Sequence, residues 1–340
     1  MVWLRKKKIG WDIAIDLGTA NTRIYSAGYG LVADQPSGPI HHCPRQAAEG
    51  ARLGAQDRHY SDPESSPPPL RSGAIANLTA AVSFLAPLIR RSRPRGQKRC
   101  RVLSCAPSDA TLEECRLLSE AIRHAGAAEV TVVSAPLAGL LGAINDIESP
   151  YAQMLVDIGD GVTDIAVIRS STVIAAGAVR LGCNSLPGAL CNLMMKRYGL
   201  IMEWNQAETA VRTLGSAPGT GIEGSMISLV HSPAHWELTT FCVSSALVKE
   251  AIEKHIRAMV SGINRLIRVL SDQVACEVIE SGICLTGGGA RLAGMAGFIS
   301  TETSLDVKIA HDPMHAVING AGRMITDGFH PLTKMESRRN

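Results

Sequence analysis

Two short runs of this 340-residue chain carry the same spacing of chemically useful residues. Asp16-Leu17-Gly18-Thr19-Ala20-Asn21-Thr22 and Asp157-Ile158-Gly159-Asp160-Gly161-Val162-Thr163 both read D-x-G-x-x-x-T, and Asp16 to Asp157 and Thr22 to Thr163 are the same 141 residues apart. In each, an apolar stretch ends at an aspartate and turns through small residues, which leaves backbone N–H groups able to point at an anion with no side chain in the way. Facing each other, two such turns would clamp a polyphosphate. Asp16 and Asp157 at their bases suit a hydrated Mg2+, which keeps several waters and takes few carboxylates. Singly, each run is also the spacing of an ordinary tight hairpin; the repetition is what points to phosphate. A third run, Gly287-Gly288-Gly289, follows an apolar stretch at 283–286 and precedes a helical pattern from 290 to about 301. Strand, glycine turn and helix would bring backbone close to a planar ring or ribose.

The elements that must hold these residues follow from periodicity. Residues 13–17 and 23–26 predict one strand pair, and 154–157 with 164–168 a second of the same design, followed by a strand at 173–179. Two hairpins of one plan opening two halves mark a duplicated domain. Leu78, Ala81, Val82, Leu85, Leu88 and Ile89 keep a helical period that Pro87 interrupts. A capping box at Thr111 and Glu114 starts a helix that stops at Gly126, and strands at 101–105 and 129–134 flank it as a right-handed parallel unit. A helix at 186–198 ends at Gly199, and one apolar face persists from Leu247 to Leu270. Between 35 and 73 lie seven of the 17 prolines, which predicts a small irregular subdomain.

Composition bounds the answer. Lys and Arg number 34 against 31 Asp and Glu, a net charge of +3, which excludes a globally basic nucleic-acid coat. With 46% hydrophobic and 19% charged residues the chain supports a large core. It has no run of about 18 apolar residues and no secretory leader pattern, so a cytoplasmic protein is expected. Nine cysteines without a C-x-x-C pair read as reduced thiols. The pairs His231/His235 and His311/His315 have helical ligand spacing, but Pro233 and Pro313 inside them argue against a metal site.

The segments IDLGTANT, IYSAGYGLVADQPS, VDIGDGVTDIAVI, GICLTGGGARLAGM and HDPMHAVINGAG, in this order, resemble the actin-like ATPase superfamily and within it the MreB family of bacterial cell-shape actins. The similarity runs from Trp11 to about Ile325 and is poor at 40–70. It implies an α/β actin-like fold of two duplicated domains, each a mixed sheet flanked by helices. Domain I would be 1–147 plus 311–334, with its subdomain at about 35–73; domain II would be 148–310, with a small subdomain at about 184–240. It further implies Mg-ATP in the cleft between them and self-association into protofilaments on the inner membrane. Carried over by position, Gly18, Thr19, Ala20 and Asn21 form the first phosphate loop and Gly159, Asp160, Gly161 and Val162 the second. Glu208 stands beside the nucleoside, Gly287, Gly288, Gly289 and Ala290 close over it, and Asp16 and Asp157 hold Mg2+ through water.

The chain departs from the family where hydrolysis is concerned. Where MreB-like proteins have Glu-Glu-Pro, whose second Glu orients the attacking water, this chain has Ser134-Ala135-Pro136. The family's Gly-Gly-Asp-x-x-Asp-Glu run appears as Gly182-Cys183-Asn184-Ser185-Leu186-Pro187-Gly188, without a carboxylate. Phosphoryl transfer depends on positioning and charge stabilisation, so losing the water-positioning group slows hydrolysis while leaving binding largely intact. No catalytic residue is therefore assigned. Two basic clusters, Arg5-Lys6-Lys7-Lys8 behind the apolar Met1-Val2-Trp3-Leu4 and seven basic residues in the 12 at 90–101, read either as contacts to one anionic membrane surface or as a solvated terminus and a solvated loop. The anchor is expected within residues 1–11, ending at Trp11, and nucleic acid is not an expected partner. Three readings compete: an MreB-type filament with weakened hydrolysis, a nucleotide-binding paralogue that co-assembles with or modulates another actin-like filament, and a small-molecule kinase of the same fold.

Overall fold

The structure is a computed structural model that describes residues 10–37, 68–94, 96, 98–144, 149–232 and 237–327. The expected irregular subdomain falls almost wholly outside the described residues, as do residues 1–9, Arg95, His235 and Cys43. In chain order, β1 (Ile13–Leu17), β2 (Asn21–Ser26) and β3 (Gly30–Pro36) form a meander; β4 (Leu70–Arg71) and β5 (Ala74–Ile75) form a small hairpin before α1 (Leu78–Ser92). Then come β6 (Cys100–Ala106), α2 (Leu112–His124), β7 (Ala127–Ser134) and α3 (Ala135–Ala143). The second half opens with β8 (Gln153–Ile158), β9 (Thr163–Arg169) and β10 (Thr172–Val179), then α4 (Ser185–Tyr198), β11 (Ile201–Met202), α5 (Trp204–Leu214), β12 (Ser225–Ser232) and β13 (Glu237–Ser244). α6 (Ser245–Ile267), α7 (Asp272–Ser281), β14 (Ile283–Thr286), α8 (Met295–Thr303), β15 (Val307–Ile309) and α9 (Ala316–Thr326) complete it.

Two five-stranded sheets result, ordered β3-β2-β1-β6-β7 and β10-β9-β8-β14-β15. β1, β6 and β7 run parallel in one, β8, β14 and β15 in the other, and the meander strands are antiparallel. Mixed sheets flanked by helices, built twice, are the expected architecture. The duplication holds to the residue: Ile15 pairs with Ile24 and Asp16 with Arg23, as Val156 pairs with Ile165 and Asp157 with Asp164. A third sheet, β11-β12-β13, sits with α4 and α5 on the second half.

Each large sheet has its own core, Ile13, Ile15, Leu85 and Ile122 among the first and Met154, Val156, Ile252 and Ile256 among the second, all at or near zero exposure. Between the sheets lies a third cluster, carried by α3 and α9. α3 packs on β8, β9 and β14; α9 packs on β1, β2 and β6; the two helices cross backbone to backbone. A Cβ on Gly142 would overlap the Ala316 carbonyl and come within 2.6 Å of the Gly320 nitrogen, and one on Gly320 would overlap the Ala138 carbonyl. Only glycine permits this approach.

Several sequence expectations change. α1 continues past Pro87 to Ser92, because the carbonyl that proline leaves without a donor belongs to Ser83 on the exposed face, where water can take it, while Leu85, Leu88 and Ile89 stay packed. The long helix ends at Ile267, before Leu270. Of the expected membrane segment 1–11, Trp3 and Leu4 lie outside the described residues, while Trp11 at its end is part of the core, 8% exposed and donating Nε1–H to Thr131 Oγ1 at 3.0 Å. The basic stretch 90–101 is likewise partly engaged within the chain, since Arg101 pairs with Asp12 at 3.6 Å and Arg99 donates to the Ala127 carbonyl at 2.9 Å.

Candidate functional site

The parallel strands deliver their carboxyl ends to one edge of each sheet, and the three glycine turns follow β1, β8 and β14 at that edge. In the first turn, Gly18 N donates to Asn21 O at 3.1 Å, and a Cβ on Gly18 would sit 2.8 Å from that oxygen. The motif threonine explains itself here. Thr22 Oγ1 shares a 2.8 Å hydrogen bond with Ser37 Oγ; Ser37 donates Oγ–H to Gly18 O at 2.6 Å and its N–H to Ala20 O at 2.9 Å. The Gly18 and Ala20 carbonyls are thereby both occupied by Ser37. The second turn repeats the device: Gly159 N donates to Val162 O at 2.9 Å, and Thr163 Oγ1 donates to Leu181 O at 2.9 Å. Cys183 N and Asn184 N then take Gly159 O and Asp160 O at 3.0 and 2.9 Å. The carboxylate-free run 182–188 thus supports the second loop through its backbone. Among the described residues the N–H groups of Thr19, Ala20 and Gly161 donate to no acceptor.

The two turns meet. A Cβ on Gly161 would overlap Thr19 Oγ1 and lie 3.0 Å from Ser72 Cα. The β4–β5 turn wedges in beside them: Gly73 N donates to Thr19 Oγ1 at 3.0 Å, and a Gly73 Cβ would lie 3.4 Å from Val162 Cγ1. The third turn touches the second, because a Cβ on Gly287, at φ +81°, would overlap Asp157 Oδ1 and the Ile158 carbonyl, and one on Gly289 would overlap the Ile158 side chain. Ala290 is buried beneath it, whereas Gly288 faces open space. The turn does not lead straight into a helix: it closes in a single 3-10 turn at Gly288–Arg291, breaks at Gly294 and resumes as α8. Glu208 lies half-buried on α5, outside these turn-to-turn contacts, although the chain after α5 joins the chain after the third turn through Ala217 N to Ala293 O at 2.8 Å.

The cleft is acidic. Burial pushes the Asp157 carboxyl up to about 7, with Asp16 and Asp164 raising it further and Arg23 drawing it back. Asp164 is also pushed up to about 7 by burial, against hydrogen bonds from Ser108. Asp16 is raised by burial, and Arg23, 3.8 Å away, works against that. Arg23 is shared with Asp34 at 3.2 Å, which His315 bridges to Asp312 at 3.0 and 2.9 Å. Carboxylates whose charge is disfavoured in this way gain from a divalent cation, and the residues present fit a hydrated Mg2+. Among the described residues no three metal-ligating side chains converge, so the protein supplies too few ligands for a dry inner shell.

Ala135 opens α3 directly after β7, and its methyl group packs on the cluster between the sheets. Sequence reasoning missed Ser37, the Ser72–Gly73 turn, Arg180 and the bond between Asp164 and Ser108. Only Asp164, one residue past the second motif, carried a signal by position.

The family model for the MreB/Mbl protein matches residues 10–331. The cell shape-determining protein MreB of Pasteurella multocida is 32% identical over 327 residues, covering 92% of each chain. Among solved structures, MreB5 of Spiroplasma citri bound to AMPPNP is 25% identical with a TM-score of 0.80, covering 92% of this chain and 95% of that one. The same protein bound to ADP gives 0.82 at 24% identity, with 93% and 96% covered. The MamK double helical filament gives 0.72 at 18% identity, with 94% and 99% covered, a likeness of fold.

Proposed function

The chain belongs to the MreB/Mbl family of cell shape-determining, actin-like proteins, and on that premise we propose that it binds Mg-ATP in the cleft between its two sheets, hydrolyses it weakly, and joins membrane-associated filaments. The observation that carries the reading is the close approach of Gly161 to Thr19, which brings the two turns, with the Thr19, Ala20 and Gly161 N–H groups, side by side as a polyphosphate clamp would need. In this reading residues 18–21 and 159–162 hold the phosphates, Asp16 and Asp157 hold Mg2+ through water, and 287–290 lie over the nucleoside with Glu208 beside it. Bound Mg2+ would neutralise the phosphate charge that the cleft carboxylates repel. Residues 1–147 with 311–334 act as one domain and 148–310 as the other. The MreB5 structures with ADP and AMPPNP support nucleotide binding, and the MamK filament supports self-association.

The test is nucleotide binding measured beside phosphate release on one purified sample. Binding with release far slower than that of a relative bearing Glu-Glu-Pro is expected; absence of binding overturns the reading. A second reading, a paralogue that co-assembles with another actin-like filament instead of polymerising alone, draws on the substitution at Ala135 and the missing carboxylates at 182–188. Pelleting with ATP separates the two: a filament former sediments alone, a modulator only with its partner.

A further inference from the structure

We infer that Arg180 is a positioning residue that latches the two halves together across the phosphate end of the cleft and so governs how fast a bound nucleotide leaves. This rests on the cleft reading above. Arg180 follows β10, the outer strand of the second sheet, yet all three of its partners belong to the first half. Its Nε donates to Asp109 at 2.7 Å, Nη2 to Glu114 at 3.1 Å, and Nη1 to the Ser72 carbonyl at 2.8 Å. On the neighbouring strand β9, Asp164, 2% exposed, accepts hydrogen bonds from Ser108 N at 2.9 Å and from Ser108 Oγ. Five hydrogen bonds thus cross from β9 and β10 to one loop, one turn and the first turn of α2.

All three guanidinium nitrogens are engaged, an arrangement that a lysine at this position cannot reproduce. Glu114 is itself fixed, because the same Oε2 accepts the Thr111 N–H of the capping box at 2.8 Å. The Ser72 carbonyl belongs to a residue held in the left-handed region, φ +49°, and its neighbour Gly73 donates to Thr19 Oγ1. With that lone pair occupied, the Thr19 hydroxyl is free to turn its proton toward the cleft. The latch therefore does two things: it keeps the two turns facing each other, and through Ser72–Gly73 it orients Thr19. Arg180 and its carboxylates are each about 30% exposed, so the contact is weak enough to open on a functional timescale.

The experiment compares release of a fluorescent ATP analogue, with Mg2+, from wild type, Arg180→Ala, Arg180→Lys and Arg169→Ala. Arg169 pairs with Glu277 at 3.2 Å within the second half, so its loss removes a comparable ion pair without touching the cleft. Arg180→Ala is expected to release the analogue about tenfold faster, Arg180→Lys to fall between, and Arg169→Ala to match wild type. Small-angle scattering of the ligand-free proteins supplies an independent readout, with a larger radius of gyration for Arg180→Ala. Equal release rates for wild type and Arg180→Ala overturn the latch. If wild type binds no nucleotide, the cleft reading fails, and the latch stands or falls on the scattering: identical profiles overturn it, an expanded variant supports it.

Discussion

Asp157 sits where charge is unfavourable, and the sign of its effect on stability follows. Its carboxyl titrates near the usual 3.8 in the unfolded chain and at about 7 when folded, so the folded state holds the proton more tightly. Its contribution is fully present below pH of about 4 and is lost as pH rises through about 7. Asp164, raised in the same direction, adds to that loss. The ligand-free protein is therefore expected to melt at lower temperature at about pH 8 than at about pH 5, and Asp157→Asn to raise the melting temperature at about pH 8 by a few degrees while flattening the profile. Thermal melts across that range decide it; an unchanged slope refutes the assignment. At Ala135, restoring glutamate is expected to raise ATP turnover by roughly ten- to a hundredfold with little change in affinity, read as phosphate release beside binding. No change would place the attacking water elsewhere. Of the residues at the cleft, the glycines, Asp16, Asp157 and both threonines were legible because small size and a repeated spacing have direct physical meaning. Ser37 and Arg180 were not, since a lone serine or arginine does not announce that its partner lies on another strand or in the other half.

Among elements, the crossing of α3 and α9 makes the sharpest stability prediction. Gly320→Ala improves helix propensity by about 1 kcal/mol, yet its methyl group overlaps the Ala138 carbonyl, so the helices must part and the net effect is a loss of about 1–3 kcal/mol or more. Gly297→Ala in α8, where nothing lies within 4 Å of the added methyl, is expected to gain up to about 1 kcal/mol. Denaturant titration of the two variants checks both, and similar shifts would contradict the crossing. Element existence was readable wherever apolar period and caps agreed, as in α2, with its capping box in place, and α4, stopped by the left-handed Gly199. β3 escaped notice because it is an edge strand with Leu31 and Val32 both exposed and a register irregularity opposite Ile24 and Tyr25, which erases alternation. The helix after the third turn begins at Met295 and not at 290 because Gly294 is left-handed, a choice that glycine allows but does not dictate.

For the molecule as a whole, the described part of the basic stretch 90–101 runs from the end of α1 into β6. Arg90 and Arg91 end α1, and Arg123 and His124 end α2. Flotation with anionic vesicles is expected to fall steeply as salt rises from about 50 to 300 mM, and replacing Arg90, Arg91 and Lys98 by Glu to cut it several-fold, with neutral vesicles binding little at any salt. Salt-independent flotation would refute an electrostatic contact. The glycine crossing has a consequence at this scale too. Because α3, which rests on the second sheet, and α9, which rests on the first, touch main chain to main chain, their crossing would serve the two sheets as a pivot and offers no smooth surface on which to slide. A turn of a few degrees there displaces the outer rims of the sheets far more than the loops near the pivot, as a short rotation swings a long arm. Whatever neighbour stacks against those rims would meet two differently angled faces, and so would register the state of the cleft from a distance.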